Sequence, residues 1–173
     1  MLYTLYMADT LHIKSFSSEQ IRILLPSLSQ NSNNPRFSLA QFEKYLSSDS
    51  GVSWVAICDG DDHIFALSCL EYNFEDNLSI CFLSEIQTVI RGYGKELLTF
   101  ILNQKDQDII YLLVNPESDE TLLKWYKQFH LDEINIEDSV YGDPITFLYR
   151  VNGRIPERKL NSFKQNIIDK FSK

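Results

Sequence analysis

The chain has 173 residues, 44% of them hydrophobic and 13% aromatic, with a formal charge of −8. That length suits one domain able to bury a core without covalent staples. No apolar run approaches the roughly 18–20 residues of a membrane span. The opening "MLYTLYMADT" lacks a basic leader and a small-residue cleavage site, so the expectation is a cytoplasmic protein with no membrane partner. The charge is uneven. Residues 150–173 hold seven of the sixteen Lys/Arg residues against two acids, a tail of +5; residues 1–149 hold nine bases against twenty-two acids, a body of −13. An acidic body repels nucleic acid and draws cationic ligands over long range, and the basic tail is too short and too apolar to form a nucleic-acid site. Cys58, Cys69 and Cys81 each sit in a strand-like apolar context without a C-x-x-C or Cys/His pairing. Three buried free thiols are expected, with neither disulfide nor metal site.

In chain order, Leu2 to Ile13 alternates loosely, as an edge strand would. "SSEQIRILLPSLSQ" offers Ser17 or Ser18 as an N-cap and places Ile21, Leu24, Leu25 and Leu28 at helical spacing, with Pro26 expected to kink or restart the helix. After the polar loop "NSNNPRF", "SLAQFEKYLSSD" reads as a short amphipathic helix built on Leu39, Phe42, Tyr45 and Leu46. From Gly51 the period becomes that of strands, near 52–58, 63–73 and 78–89, broken at Asp59-Gly60-Asp61-Asp62 and at Glu75-Asp76-Asn77 as in successive hairpins. A helix over 93–104 follows. "DIIYLLVN" is the continuous apolar run of a fully buried central strand. "PESDETLLKWYKQFH" is a helix capped by Ser118 or Asn115, and "LDEINIE" and "PITFLYRV" form a closing antiparallel pair. The last segment puts Leu160, Phe163, Ile167, Ile168 and Phe171 on one helical face. That face either docks on its own domain or meets a partner, which leaves a homodimer open. The order β α α β β β α β α β β α describes a mixed α/β sheet, expected as a body over 1–151 with a basic amphipathic helix over 152–173.

The passage from strand to helix at "RGYGKELL" carries the chemistry. A helix leaves its first N–H groups without internal partners, and its dipole favours an anion there. Gly92 and Gly94 remove the Cβ atoms that would keep a phosphate from the backbone, while Arg91 and Lys95 add positive charge in an otherwise acidic body. A plain strand-to-helix connection is the other reading of Gly-x-Gly. The pattern is neither G-x-x-x-x-G-K-[ST] nor the full G-x-G-x-x-G.

"RGYGKELL" resembles the acyl-CoA pyrophosphate loop of the GCN5-related N-acetyltransferase (GNAT) superfamily, [QR]-x-x-G-x-[GA] opening a helix with Leu-Leu. Gly92-Tyr93-Gly94-Lys95-Glu96-Leu97-Leu98 matches its glycines and helix start. "LLKWYKQFHL" is similar to the family's second marker, a helix ending in Tyr-x-x-x-Gly-Phe, and "IIYLLVN" stands where the family has its splayed partner strand, ending in Asn115. The resemblance covers Glu85 to Leu131 at the level of motifs and the rest only in element order. Departures are Val89 at the [QR] position, a shorter strand-to-loop connection, and His130-Leu131 in place of Gly-Phe. The resemblance implies an acyl-CoA N-acyltransferase fold with antiparallel N-terminal strands, splayed central parallel strands and an extra C-terminal helix. It implies acetyl-CoA as cofactor, held by backbone groups of Ile86, Gln87, Thr88 and Val89 along the pantetheine, by Arg91, Gly92, Tyr93, Gly94, Lys95 and Glu96 at the pyrophosphate, and by Asn115.

Direct attack of an amine on a thioester needs a neutral amine, an oxyanion donor and a proton for the departing thiolate. The resemblance places Tyr126 beside the sulfur as that proton donor; the alternative is a core tyrosine in the stripe Leu122, Leu123, Tyr126, Phe129. Glu85 lies in "CFLSEIQTV", where a carboxylate is costly unless exposed or employed. It is either a general base, as in similar enzymes that acetylate lysine, or a solvent-facing residue paired with a neighbour. The expected activity is acetyl transfer to a primary amine of a protein lysine, a polyamine or another small cation. The competing expectation is an inactive module of the same fold that binds CoA or a protein.

Overall fold

The computed structural model describes residues 10–47 and 51–173. Among the described residues, seven strands, β1 (His12–Phe16), β2 (Val52–Cys58), β3 (Ile64–Glu75), β4 (Leu78–Thr88), β5 (Ile109–Val114), β6 (Asp132–Ile136) and β7 (Ile145–Val151), form one mixed sheet in the order β1-β2-β3-β4-β5-β7-β6, accompanied by five helices. The chain divides into two compact units. The first takes the described residues up to Glu71 together with Glu85–Phe100, and the second takes Tyr72–Ser84 and Ile101–Lys173.

In the first unit, β1 (His12–Phe16) pairs antiparallel with β2 (Val52–Cys58), His12 opposite Cys58 and Phe16 opposite Trp54. Of the strand expected over Leu2 to Ile13, the part up to Asp9 lies outside the described residues, and among these β1 starts at His12, opposite Cys58 of β2. Helix α1 (Ser18–Asn31) opens on a reciprocal cap. The Ser17 Oγ accepts from the Gln20 N–H at 3.1 Å, and the Ser17 N–H donates to the Gln20 Oε1 at 2.8 Å, which satisfies two of the helix's orphan groups. Ile21, Leu25 and Leu28 form its buried stripe.

Pro26 does not restart α1, which runs through it to Asn31. Pro26 and Arg22, whose carbonyl loses its helical donor, are both exposed, which keeps this stretch of the helix on the solvent side. Leu25 and Leu28, on the opposite face, stay in the core. Helix α2 (Leu39–Leu46) buries Phe42 and Leu46. Both helices pack with Trp54, which is fully buried, lies 5.8 Å from the Phe42 ring and donates its indole N–H to the Ser18 Oγ at 3.0 Å.

The two hairpins form where turn residues break the strands. Asp76 and Asn77 both take positive φ, 51° and 61°, the backbone a tight two-residue hairpin needs, between β3 (Ile64–Glu75) and β4 (Leu78–Thr88). In the β2–β3 turn the Asp59 carboxylate accepts from the Asp61 N–H, the His63 N–H and the His63 Nδ1, each at 2.9 Å. Burial pushes this carboxyl up, but the bonds from His63 and Asp61 outweigh it and hold Asp59 below the usual carboxylate range. A depressed folded value stabilises the fold above the unfolded value near 3.9 and ceases to do so as pH falls through the folded value. Asp59→Asn is expected to flatten the acid limb of stability, measured as denaturant midpoints between about pH 5 and pH 2. An unchanged acid limb would assign acid sensitivity to other carboxylates.

In the second unit, β5 (Ile109–Val114) is central. It pairs parallel with β4 over Ile80–Phe82 and antiparallel with β7 (Ile145–Val151) along its whole length. Ile109, Ile110, Leu112 and Val114 are buried, which is why the sequence there shows no polar alternation. Strand β6 (Asp132–Ile136) closes the edge against β7. Helix α5 (Glu157–Phe171) lays Phe163, Ile167 and Phe171 on Phe147, Tyr149 and Ile109, with the Phe147 and Phe171 rings 4.8 Å apart. Ile168, expected on the same stripe, is 37% exposed, because it follows Ile167 by one residue and so sits about 100° round the helix.

Helix α4 (Glu120–Lys127) begins later than the sequence suggests, with Asp119 as N-cap and no side-chain capping bond. Asn115 does not cap it. Its Oδ1 accepts from the N–H groups of Glu117 and Ser118 at 2.9 and 3.2 Å, an Asx turn that uses up the polar residues before the helix starts.

Candidate functional site

The first unit holds the strand-to-helix turn. Val89 is fully buried, and the N–H groups of Val89 and Ile90 both donate to the Phe65 carbonyl at 2.9 Å, which ends β4. Gly92 then takes φ +104°, with open space where a Cβ would stand. Helix α3 (Gly94–Leu102) follows at once. Its first internal bond runs from the Leu97 N–H to the Tyr93 carbonyl at 3.3 Å. The amides of Gly94, Lys95 and Glu96 precede that bond and, among the described residues, donate to no backbone carbonyl, as at any helix start. Arg91, Gly92, Lys95 and Glu96 are exposed and Gly94 is buried. The Tyr93 ring rests on Phe65 at 5.0 Å, which anchors the turn to β3. Leu97 and Leu98, fully buried, fix the helix behind it. An open turn, a short run of free amides and two cations are what an anion requires.

A second set of residues, absent from the motif, fastens this turn. The loop after α1 reaches the end of β4. Ser32 Oγ donates to the Val89 carbonyl at 2.8 Å, as does the Asn33 N–H at 3.2 Å. Asn34 Nδ2 donates to the Thr88 carbonyl at 2.7 Å, and Asn33 Oδ1 accepts from the Arg91 N–H at 2.9 Å. Gln87 is bonded both ways to the Ser38 backbone, at 2.7 and 3.1 Å, and so secures the entry to α2. The carbonyls of Thr88 and Val89, expected along the pantetheine, thus already accept from this loop. "NSNNPRF" carried one signal of this role, a run of short side chains able to bond backbone groups.

Glu85 lies half-buried on β4, and its side chain shares a strand face with that of Gln87. It acts electrostatically on Tyr45 of α2 and on Cys69 of β3. Burial, then the Glu85 carboxylate, then Cys69 and Glu71, push the Tyr45 hydroxyl up to about 12. Burial, then Glu71 and Glu85, push the Cys69 thiol up to about 12. Tyr45 therefore remains a proton donor at neutral pH, and Cys69 remains a thiol. The fold thus gathers two carboxylates, a tyrosine and a buried thiol from α2, β3 and β4. Tyr45, Cys69 and Glu71 were not singled out in sequence for this role. Glu71, a carboxylate within "LSCLEYNFE", was open to the same reasoning as Glu85.

Asn115 and Tyr126 belong to the second unit. Asn115 closes its Asx turn, and its carbonyl accepts from the Asp119 N–H at 3.0 Å. Tyr126 on α4 is 5% exposed, its ring 5.1 Å from that of Trp125. After α4, His130 takes φ +54°. The chain here keeps the left-handed backbone that glycine adopts freely, with a histidine in place of the marker's Gly.

No family model and no curated protein matches the chain. Among solved structures it is similar to a spermidine N-acetyltransferase SpeG chimera from Vibrio cholerae and hSSAT, with a TM-score of 0.57 and 13% identity, covering 82% of this chain and 95% of that one. It is also similar to the dodecameric spermidine N-acetyltransferase from Vibrio cholerae, with a TM-score of 0.56 and 13% identity, covering 86% and 97%. A probable acetyltransferase from Staphylococcus epidermidis gives a TM-score of 0.56 at 9% identity, covering 83% and 100%. At these identities the likeness is one of fold. The chain has the fold of the acyl-CoA N-acetyltransferases, as the motif resemblance implied.

Proposed function

We propose that the protein transfers an acetyl group from acetyl-CoA to a primary amine of a small cationic acceptor, with a polyamine as the first candidate. The observation that supports this most is the Gly92 turn opening into the free amides of α3, in a chain with an N-acetyltransferase fold. Acetyl-CoA supplies an activated acyl group on sulfur. The residues that would hold its pyrophosphate are the backbone of Gly92 to Glu96, with Arg91 and Lys95 contributing charge. The acceptor nitrogen attacks the thioester carbonyl carbon, a C–N bond forms, and the C–S bond breaks. In this reading Glu85 receives the proton lost by the amine, directly or through water, and Tyr126 gives the proton that the leaving thiolate takes. The acidic body, and the carboxylates of Glu71 and Glu85 in particular, favour a cationic acceptor. The polyamine preference also draws on the spermidine acetyltransferases among the structural neighbours.

A second reading, a CoA-binding or protein-binding module without turnover, draws on one observation: Thr88 and Val89 already spend their carbonyls on Asn34, Ser32 and Asn33. Calorimetric titration with acetyl-CoA, followed by an amine panel of spermidine, spermine, lysine peptides and aminoglycosides, separates the two. The enzyme reading expects binding, then acetylated product whose formation slows in Tyr126→Phe. Binding without product from any amine supports the module, and absence of binding contradicts both CoA readings.

A further inference from the structure

Three metal-ligating side chains that the proposed reaction does not use converge in the first unit. His12 and Cys58 are cross-strand partners on β1 and β2, so their side chains stand on the same face of the sheet. The His12 Nε2 lies 3.6 Å from the Cys58 Sγ. A nitrogen and a sulfur bound to one tetrahedral zinc, at about 2.0 and 2.3 Å, stand roughly 3.5 Å apart. Asp62 adds a carboxylate from the β2–β3 turn, where its φ of +61° turns the chain back. The imidazole nitrogen, the thiol sulfur and a carboxylate oxygen all lie within 4.8 Å of one another. The bonds that Asp59 accepts from Asp61 and His63 hold the turn that presents Asp62.

We propose that His12, Cys58 and Asp62 bind a borderline-soft divalent cation, of which Zn²⁺ is the leading candidate, with water as a fourth ligand. One imidazole, one thiolate and one carboxylate suit zinc or cobalt; the sulfur disfavours magnesium and calcium. Binding forms the metal–sulfur bond as the Cys58 thiol proton leaves to solvent. Both Asp62 oxygens take an ion pair from Lys14 at 2.8 Å, with side chains 39% and 40% exposed. A pair that open to solvent holds weakly, so Lys14 swings away when the cation binds. The ion fastens edge strand β1 to the turn that follows β2. The spacing rules missed this set because its three ligands come from separate parts of the chain.

The test is a titration of the native full-length protein, freed of metal by a chelator, with Co²⁺, and competition by Zn²⁺. One equivalent per chain is expected, with a thiolate-to-cobalt charge-transfer band and tetrahedral ligand-field bands, both displaced by Zn²⁺. Cys58→Ser removes the charge-transfer band, and His12→Ala, at an exposed residue, weakens binding by more than the about 10- to 100-fold that loss of a mere outer-shell partner costs. Lys14→Met tightens binding by removing the competitor for Asp62. Zn²⁺ raises the Tm of the native chain and leaves that of His12→Ala nearly unchanged. A native chain without the thiolate band, or a band retained in Cys58→Ser, overturns the proposal. So does Co²⁺ affinity unaltered in His12→Ala, which would leave the contact as a thiol–imidazole hydrogen bond.

Discussion

Glu85→Gln is expected to lower amine acetylation by about 10²- to 10⁴-fold, the range that loss of a general base produces, while acetyl-CoA affinity stays within about twofold. Glutamine keeps the size and an acceptor oxygen of glutamate, so β4 and its neighbours are not asked to repack. What is removed is the negative charge and the capacity to take a proton. The environment supplies an independent readout of that charge. Glu85 is the second cause, after burial, of the raised Tyr45 hydroxyl. Tyr45 should therefore ionise at a lower pH in the variant, although burial still holds it above the ordinary tyrosine value. Ultraviolet difference titration measures this, and the acetylation rate is followed against pH in parallel. If Tyr45 shifts while the rate does not, Glu85 is a structural charge and the base lies elsewhere.

Gly92→Glu is expected to abolish detectable acetyl-CoA binding. The position takes φ +104°, a backbone that side-chain-bearing residues adopt at a cost of about 1–3 kcal/mol. A Cβ there meets nothing within 4 Å, so the protein itself has room for the new side chain. The effect divides into conformational strain, which Gly92→Ala reproduces, and a carboxylate placed where the anion should sit, which only Gly92→Glu adds. The two variants measured together separate these. A modest loss in Gly92→Ala and a complete loss in Gly92→Glu identify an anion cradle. Equal losses mean that the turn matters for shape alone.

Much of this fold was legible because it rests on local patterns. The apolar run at β5, the glycine turn before α3 and the stripe of α5 each follow from spacing within one element. Pro26 misled because its cost depends on exposure, which local sequence does not reveal. Asn115 misled because the same side chain that caps a helix also closes an Asx turn. The parts of the site that escaped reading join residues far apart in the chain. Asn33 meets Arg91 and Ser32 meets Val89 across separations of 58 and 57 residues. Glu85 and Glu71 act on Tyr45 only because helix α2 and strands β3 and β4 bring them into one environment. No periodicity within one segment encodes such meetings; sheet register and loop packing do.

Turnover of acetyl-CoA with spermidine by the native chain is the decisive measurement, with thiol release and acetylated amine quantified in the same reaction. An acetyltransferase releases free CoA and N-acetylated spermidine in equal amounts, with rates that saturate in both substrates. Tight acetyl-CoA binding with no acetylated product from spermidine or any other amine would contradict the acetyltransferase reading.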